Sequence, residues 1–233
     1  VYWSIFIIGV LAVAYTVAGG IEAVIWTDVS QVIVLTGGAV LALGLICAGV
    51  DGGLGRIVSL AAADNKFHMI NWTWDPSAGA VWVIVLGSLL GDLMPNTADQ
   101  AVIQRYLTTR DLRAAKRSPW TGALLGVPTA ILFFFLGTAM WAFYQTSKHW
   151  VPDDLHSIAI LPWFIVNEMP PGLSGLVIAG IFAAAMSSVD SSINAIASAV
   201  TVDFYQRLRP GAGERAALNV GRGVTVACGL WGT

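Results

Sequence analysis

The feature that most constrains this chain is a set of apolar runs too long for ordinary soluble elements. Residues 21–50, IEAVIWTDVSQVIVLTGGAVLALGLICAGV, carry two acids and no base. About 20 predominantly apolar residues cross the hydrocarbon core of a bilayer as a helix. Six such runs are visible, at about 1–17, 21–50, 80–107, 120–144, 173–205 and 217–233. Charged residues make up 11% of the chain, against roughly 25% in a soluble domain. The runs are continuous, so the expected fold class is an all-α polytopic membrane protein, not a β-barrel of short alternating strands. Short basic connections exclude a nucleic-acid surface. Cys47 and Cys228 lie in apolar runs and read as buried thiols. The chain opens and closes inside hydrophobic sequence and is expected to be an internal fragment of a single transmembrane domain.

Loop charges give an orientation. Arg105, Arg110, Arg113, Lys116 and Arg117 mark the 105–117 connection as cytoplasmic, and Arg207, Arg209 and Arg215 do the same for 206–216. The 51–79 and 145–170 connections hold few bases (Arg56, Lys66, Lys148) beside acids such as Asp153 and Asp154, and should be external. Trp72, Trp74, Trp150 and Trp163 then fall at the external interface. The Gly19-Gly20 pair should form a tight cytoplasmic turn.

Three places put polar groups where lipid should be. In the fifth run, AAAMSSVDSSIN, helical spacing aligns Ala184, Ser187, Ser188 and Ser191, with Asp190 and Asn194 flanking that face. Small residues of this kind can be a close-packing seam. An intramembrane carboxylate costs on the order of 3 kcal/mol by insertion scales, so Asp190 should face a partner in the protein interior. Hydroxyl and carboxylate oxygens suit a hard cation such as sodium. Asp28, in the second run, is a second intramembrane acid or an interfacial acid near a helix start. The third run is interrupted by Asp92, Pro95, Asn96, Thr97, Asp99 and Gln100. Proline removes a helical hydrogen bond, and broken helices at membrane depth mark solute and ion sites of secondary transporters. A plain proline kink is the alternative.

Four stretches, YTVAGGIEAVIWTDVSQ (15–31), ADQAVIQRYLTTRDLRAAKRS (98–118), GLVIAGIFAAAMSSVDSSINA (175–195) and VTVDFY (200–205), resemble the sodium/solute symporter family in content, order and spacing. The resemblance implies a leucine-transporter-like fold of inverted repeats, with these runs as core helices 4 to 9. Core helices 1, 2, 3 and 10 would lie outside the chain. It implies a common sodium site at the Ala184 carbonyl and the Ser187 and Ser188 hydroxyls. A second sodium would use Asp28, Asp190 and Ser191, where Asp190 stands at a hydroxyl position. A substrate and gate region would comprise Asp92, Asn96 and Thr97. Asp92 replaces an asparagine, and Pro95 and Asn96 fall where sugar-transporting members have aromatic gates.

The implied function is sodium-coupled symport of a small organic solute of the sugar, sialic acid or carboxylate class across the cytoplasmic membrane. Sodium is the coupling ion, no organic cofactor is implied, and the lipid bilayer and solute are the partners. Two other classes share some of these features. A symporter-like sensor domain would report the solute to a signalling module. An intramembrane aspartyl protease needs GxGD, but SLLGD has Leu89 at the first glycine position.

Overall fold

The computed structural model describes residues 2–67, 71–76, 79–146, 152 and 155–232. Among them the chain is helical, without strands. Helix α1 (Tyr2–Gly49) contains the first two apolar runs. It breaks at Gly20, whose φ of 59° and ψ of −150° suit only a residue without a Cβ. The expected turn is therefore present, and its hinge is one glycine. Helix α2 (Gly53–Ala63) follows, burying Ile57 and Ala61.

The third run differs from expectation. Helix α3 (Val81–Ala98) continues through Pro95, and the break falls at Asp99. Pro95 sits in the last turn, and the helix runs on to Ala98 despite the amide hydrogen bond that the proline lacks. Asp99 then starts α4 (Gln100–Leu107) by accepting a hydrogen bond from the Ala101 amide at 2.8 Å, as an N-cap does. Helix α5 (Leu112–Thr146) begins earlier than the expected 120, so Arg113, Lys116 and Arg117 ride on its first turns. The 145–170 connection holds a short α6 (Ile160–Asn167). Its Pro162 stands in the first turn, where its missing amide costs little. Helix α7 (Leu173–Ala199) passes through one π-helical segment (Val200–Tyr205) into the three-residue α8 (Gln206–Leu208), and α9 (Glu214–Gly232) follows.

Among the described residues, four helices are long and apolar enough to cross a membrane. One is α1, carrying two runs, and the others are α3, α5 and α7 continued into α8. Helix α9, with Glu214, Arg215 and Arg222, is not among them. Trp72 and Trp74 are exposed, as interfacial anchors are. Trp163 is half-buried on α6, and Trp150, Lys148, Asp153 and Asp154 lie outside the described residues. Cys47 and Cys228 are free, half-buried thiols.

The chain divides into two compact units. The first comprises Val1–Ile33, Pro95–Lys116 and Ala179–Thr233, and the second Val34–Met94 and Arg117–Ile178. The second unit holds a conventional apolar core of Ile46, Ile57, Leu136, Phe143, Phe164 and Ile165. Phe143 and Phe164 meet edge to face at 5.7 Å, the arrangement ring quadrupoles favour. In the first unit α9 approaches α1 closely: a Cβ on Gly229 would collide with the Val13 side chain. Small residues permit such approach where apolar burial gives no drive between helices in lipid.

Gly20→Ala should cost on the order of 1–3 kcal/mol from backbone strain, seen as a lower melting temperature of the purified protein. Gly44→Ala, in a helix with open space at the added methyl, should leave melting unchanged or slightly raised.

Candidate functional site

The first unit contains a polar cluster built around Asp28, on the second arm of α1. Its Oδ1 accepts a short hydrogen bond from the Ser187 hydroxyl on α7. Its Oδ2 accepts one from Arg105 Nη2 on α4 at 2.8 Å. The same Nη2 also donates to Ser191 Oγ at 2.9 Å. One carboxylate is thus served by donors from two other helices, and the guanidinium ties Asp28 to Ser191. The pair is half-buried: 39% of the Arg105 side chain and 23% of the Asp28 side chain are exposed. Solvent therefore still weakens it relative to a buried pair.

Asp190 faces elsewhere. Its side chain is fully buried, and its Oδ1 accepts from the Thr16 hydroxyl on the first arm of α1 at 3.1 Å. Its Oδ2 accepts no hydrogen bond among the described residues. The difference from Ser191 is helical geometry. Adjacent residues are about 100° apart around the axis, so Ser191 meets α4 while Asp190 meets Thr16. One turn on, the Asn194 carbonyl accepts from Gln104 Nε2 at 3.4 Å. Thr16, Gln104 and Asn194 line a cavity of about 670 Å³, with Thr201, Arg222 and Thr225 on its other sides.

The common-site residues lie along α7: Ala184 and Ser187 are half-buried and Ser188 is exposed. Ser187 therefore belongs both to that oxygen set and to the Asp28 cluster. Asn96 and Thr97 are exposed at the end of α3, and Asn96 Oδ1 accepts from the Tyr106 hydroxyl at 3.3 Å. Asp92 is exposed on the part of α3 that belongs to the second unit.

Sequence reasoning missed two partners. Arg105 was expected in a basic cytoplasmic connection, but it lies in the last turn of α4 and its side chain turns to Asp28. The available signal was its position at the end of an apolar run, the nearest base to an acid that needed one. Thr16 carried no signal, because a threonine in a spanning helix usually bonds its own preceding turn.

Residues 1–229 match the sodium:solute symporter family. The sodium/sialic acid symporter NanT of Aliivibrio fischeri is 38% identical over 231 residues, covering 98% of this chain and 45% of that protein. The sodium/sialic acid symporter SiaT of Proteus mirabilis is 43% identical over 205 residues, or 88% of this chain and 41% of that protein. A solved structure of a Na+-coupled sialic acid symporter, substrate-bound and outward-open, superposes with a TM-score of 0.89. It is 40% identical and aligns over 98% of this chain and 48% of that one. This chain is a multi-pass membrane chain and belongs to the sodium:solute symporter family. It spans about half the length of the curated relatives it matches.

If Arg105 holds Asp28 as the geometry indicates, Asp28→Asn and Arg105→Gln should be non-additive. A double-mutant cycle on melting should give a coupling of roughly 1 kcal/mol, between the values for exposed and buried pairs.

Proposed function

We propose that the protein is a sodium-coupled symporter that imports a sialic-acid-like solute across the cytoplasmic membrane by alternating access. The observation that carries this is the oxygen set on α7, Ala184, Ser187 and Ser188, joined through Ser187 to the carboxylate of Asp28. The identity to two sodium/sialic acid symporters, 38% and 43%, supports the solute class. A sodium/myo-inositol cotransporter of Mus musculus stands lower, at 31%.

The chemistry follows from the hydroxyls. A serine that coordinates sodium must point its hydrogen away from the ion. Ser187 donates that hydrogen to Asp28, which leaves its lone pairs for the cation and polarises its oxygen towards it. Arg105 in turn fixes the Asp28 carboxylate. Sodium at Ala184, Ser187 and Ser188 is therefore the coupling ion. The second-cation set, Asp28, Asp190 and Ser191, is divided: Arg105 lies between Asp28 and Ser191, and Asp190 is turned to Thr16. Asp92, Asn96 and Thr97 are proposed to contact solute hydroxyl and amide groups, and the lipid bilayer surrounds the apolar faces. Coupling arises because ion and solute each favour the same conformational state, so each raises the affinity for the other.

The test is uptake of labelled sialic acid by full-length protein in proteoliposomes. An inward sodium gradient should drive accumulation and an equal potassium gradient should not. Ser188→Ala removes one ion contact, about 1.5–3 kcal/mol for a hydrogen-bond-like contact to a charge. Half-saturating sodium should therefore rise roughly 10- to 100-fold. Uptake equal in both salts would overturn the reading. Binding of sialic acid without any transport would favour a sensor.

A further inference from the structure

Helix α5 is longer than a membrane crossing needs. Its 35 residues reach about 52 Å at 1.5 Å per residue, against a hydrocarbon core of about 30 Å. Two tryptophans mark where that core lies. Trp120 and Trp141 are 21 positions apart, or about 32 Å along the axis, as aromatic belts at the two interfaces are. At the far end the Trp141 ring lies 4.7 Å from Lys66 Nζ, a charge that belongs outside the core. The first two turns of α5 therefore stand beyond the other interface, at headgroup level.

Those turns are basic on one face. At about 100° per residue, Arg113, Lys116, Arg117 and Trp120 share a sector of about 100°. Leu124 and Ile131 continue the same sector towards the middle of the membrane. All six sit on one continuous helix, so helical geometry alone relates them. All are exposed, Trp120 at 79% and Leu124 at 76%. Arg110 adds a fourth base just before the helix. The protein does not answer these charges itself. No aspartate or glutamate occurs between 112 and 146. Asp111, the nearest acid in sequence, spends its Oδ1 on the Ala114 amide at 2.6 Å. Other bases do have acids: Arg105 has Asp28, and Arg207 has Asp203 at 3.9 Å. Among the described residues, Arg113, Lys116 and Arg117 enter no ion pair.

Cations at headgroup depth, a tryptophan below them and aliphatic side chains below that are complementary to a phospholipid with a net negative headgroup. We propose that this face of α5 binds an anionic phospholipid of the cytoplasmic leaflet, with Arg113, Lys116 and Arg117 around its headgroup. Lys116 and Arg117, about one turn above Trp120, meet the phosphate, and the acyl chains lie along Leu124 and Ile131. A zwitterionic lipid carries its own cation beside the phosphate and gains less from three more. The inference needs only the membrane placement of α5 and is independent of the symport reading.

The experiment titrates delipidated full-length protein in detergent with phosphatidylglycerol or phosphatidylcholine and follows bound lipid by native mass spectrometry. Each base near the surface is worth on the order of fivefold in affinity. Phosphatidylglycerol should therefore bind at least tenfold more tightly than phosphatidylcholine. The triple variant Arg113→Gln, Lys116→Gln, Arg117→Gln should remove that preference and leave phosphatidylcholine unchanged. The single variants Arg113→Gln and Arg117→Gln, each expected to lose on the order of fivefold, decide the matter where the triple variant does not fold. The pair Arg207→Gln, Arg209→Gln, with bases elsewhere, should change binding less than twofold. Equal binding of the two lipids, or an equal loss in both sets of variants, would overturn the proposal. Soluble glycerol phosphate should not compete, and full competition by it would assign the bases to a free phosphate instead. Amine labelling of Lys116 in phosphatidylcholine nanodiscs should fall when phosphatidylglycerol is included. Protection of Lys116 in both would show that another helix covers this face, and would overturn the proposal as well.

Discussion

The arrangement of the first unit depends on where the charge of Asp28 is met. In a medium that cannot solvate it, a carboxylate must find donors within the protein. Asp28 finds them on two separate helices, Ser187 on α7 and Arg105 on α4. Its two oxygens therefore fix three elements relative to each other with one side chain. Ser191 adds a second anchor for the same guanidinium nitrogen. Removing any member leaves the others short of a partner that solvent replaces only in part, so the cluster behaves as a unit.

The same requirement explains the irregular backbone. Each break in the long helices comes with its own compensation. Gly20 provides a conformation that no side chain need oppose. Asp99 caps the helix it begins. The π-helical segment Val200–Tyr205 keeps its bonds by widening the turn, and the Thr201 hydroxyl bonds back to the Ala197 carbonyl at 2.7 Å. Unpaired backbone would be expensive at membrane depth, so the chain changes direction where a glycine or a capping side chain makes that affordable.

This accounts for how much could be read in advance. The apolar runs and the Gly19-Gly20 turn were legible because length and glycine are local signals. The aligned oxygens of the fifth run were legible because helical periodicity is local too. The break in the third run was misplaced because Pro95 is the louder residue, while the capping side chain of Asp99 decides where a new helix starts. Arg105 was hidden by a rule that counts bases near helix ends as loop charge. Its long side chain reaches back from the last turn of α4 instead. Asp190 and Ser191 looked like one pair in sequence. About 100° of helical rotation separates them and gives them different partners.

The two acids of the first unit also tie α7 to α1 at two separate points. Asp28, on the second arm of α1, accepts from the Ser187 hydroxyl, and Asp190, on α7, accepts from the Thr16 hydroxyl on the first arm. The break at Gly20 lies between those arms, so one helix holds both sides of the hinge. A change of angle at Gly20 must therefore stretch one of these bonds, which couples the backbone break to the oxygens of α7.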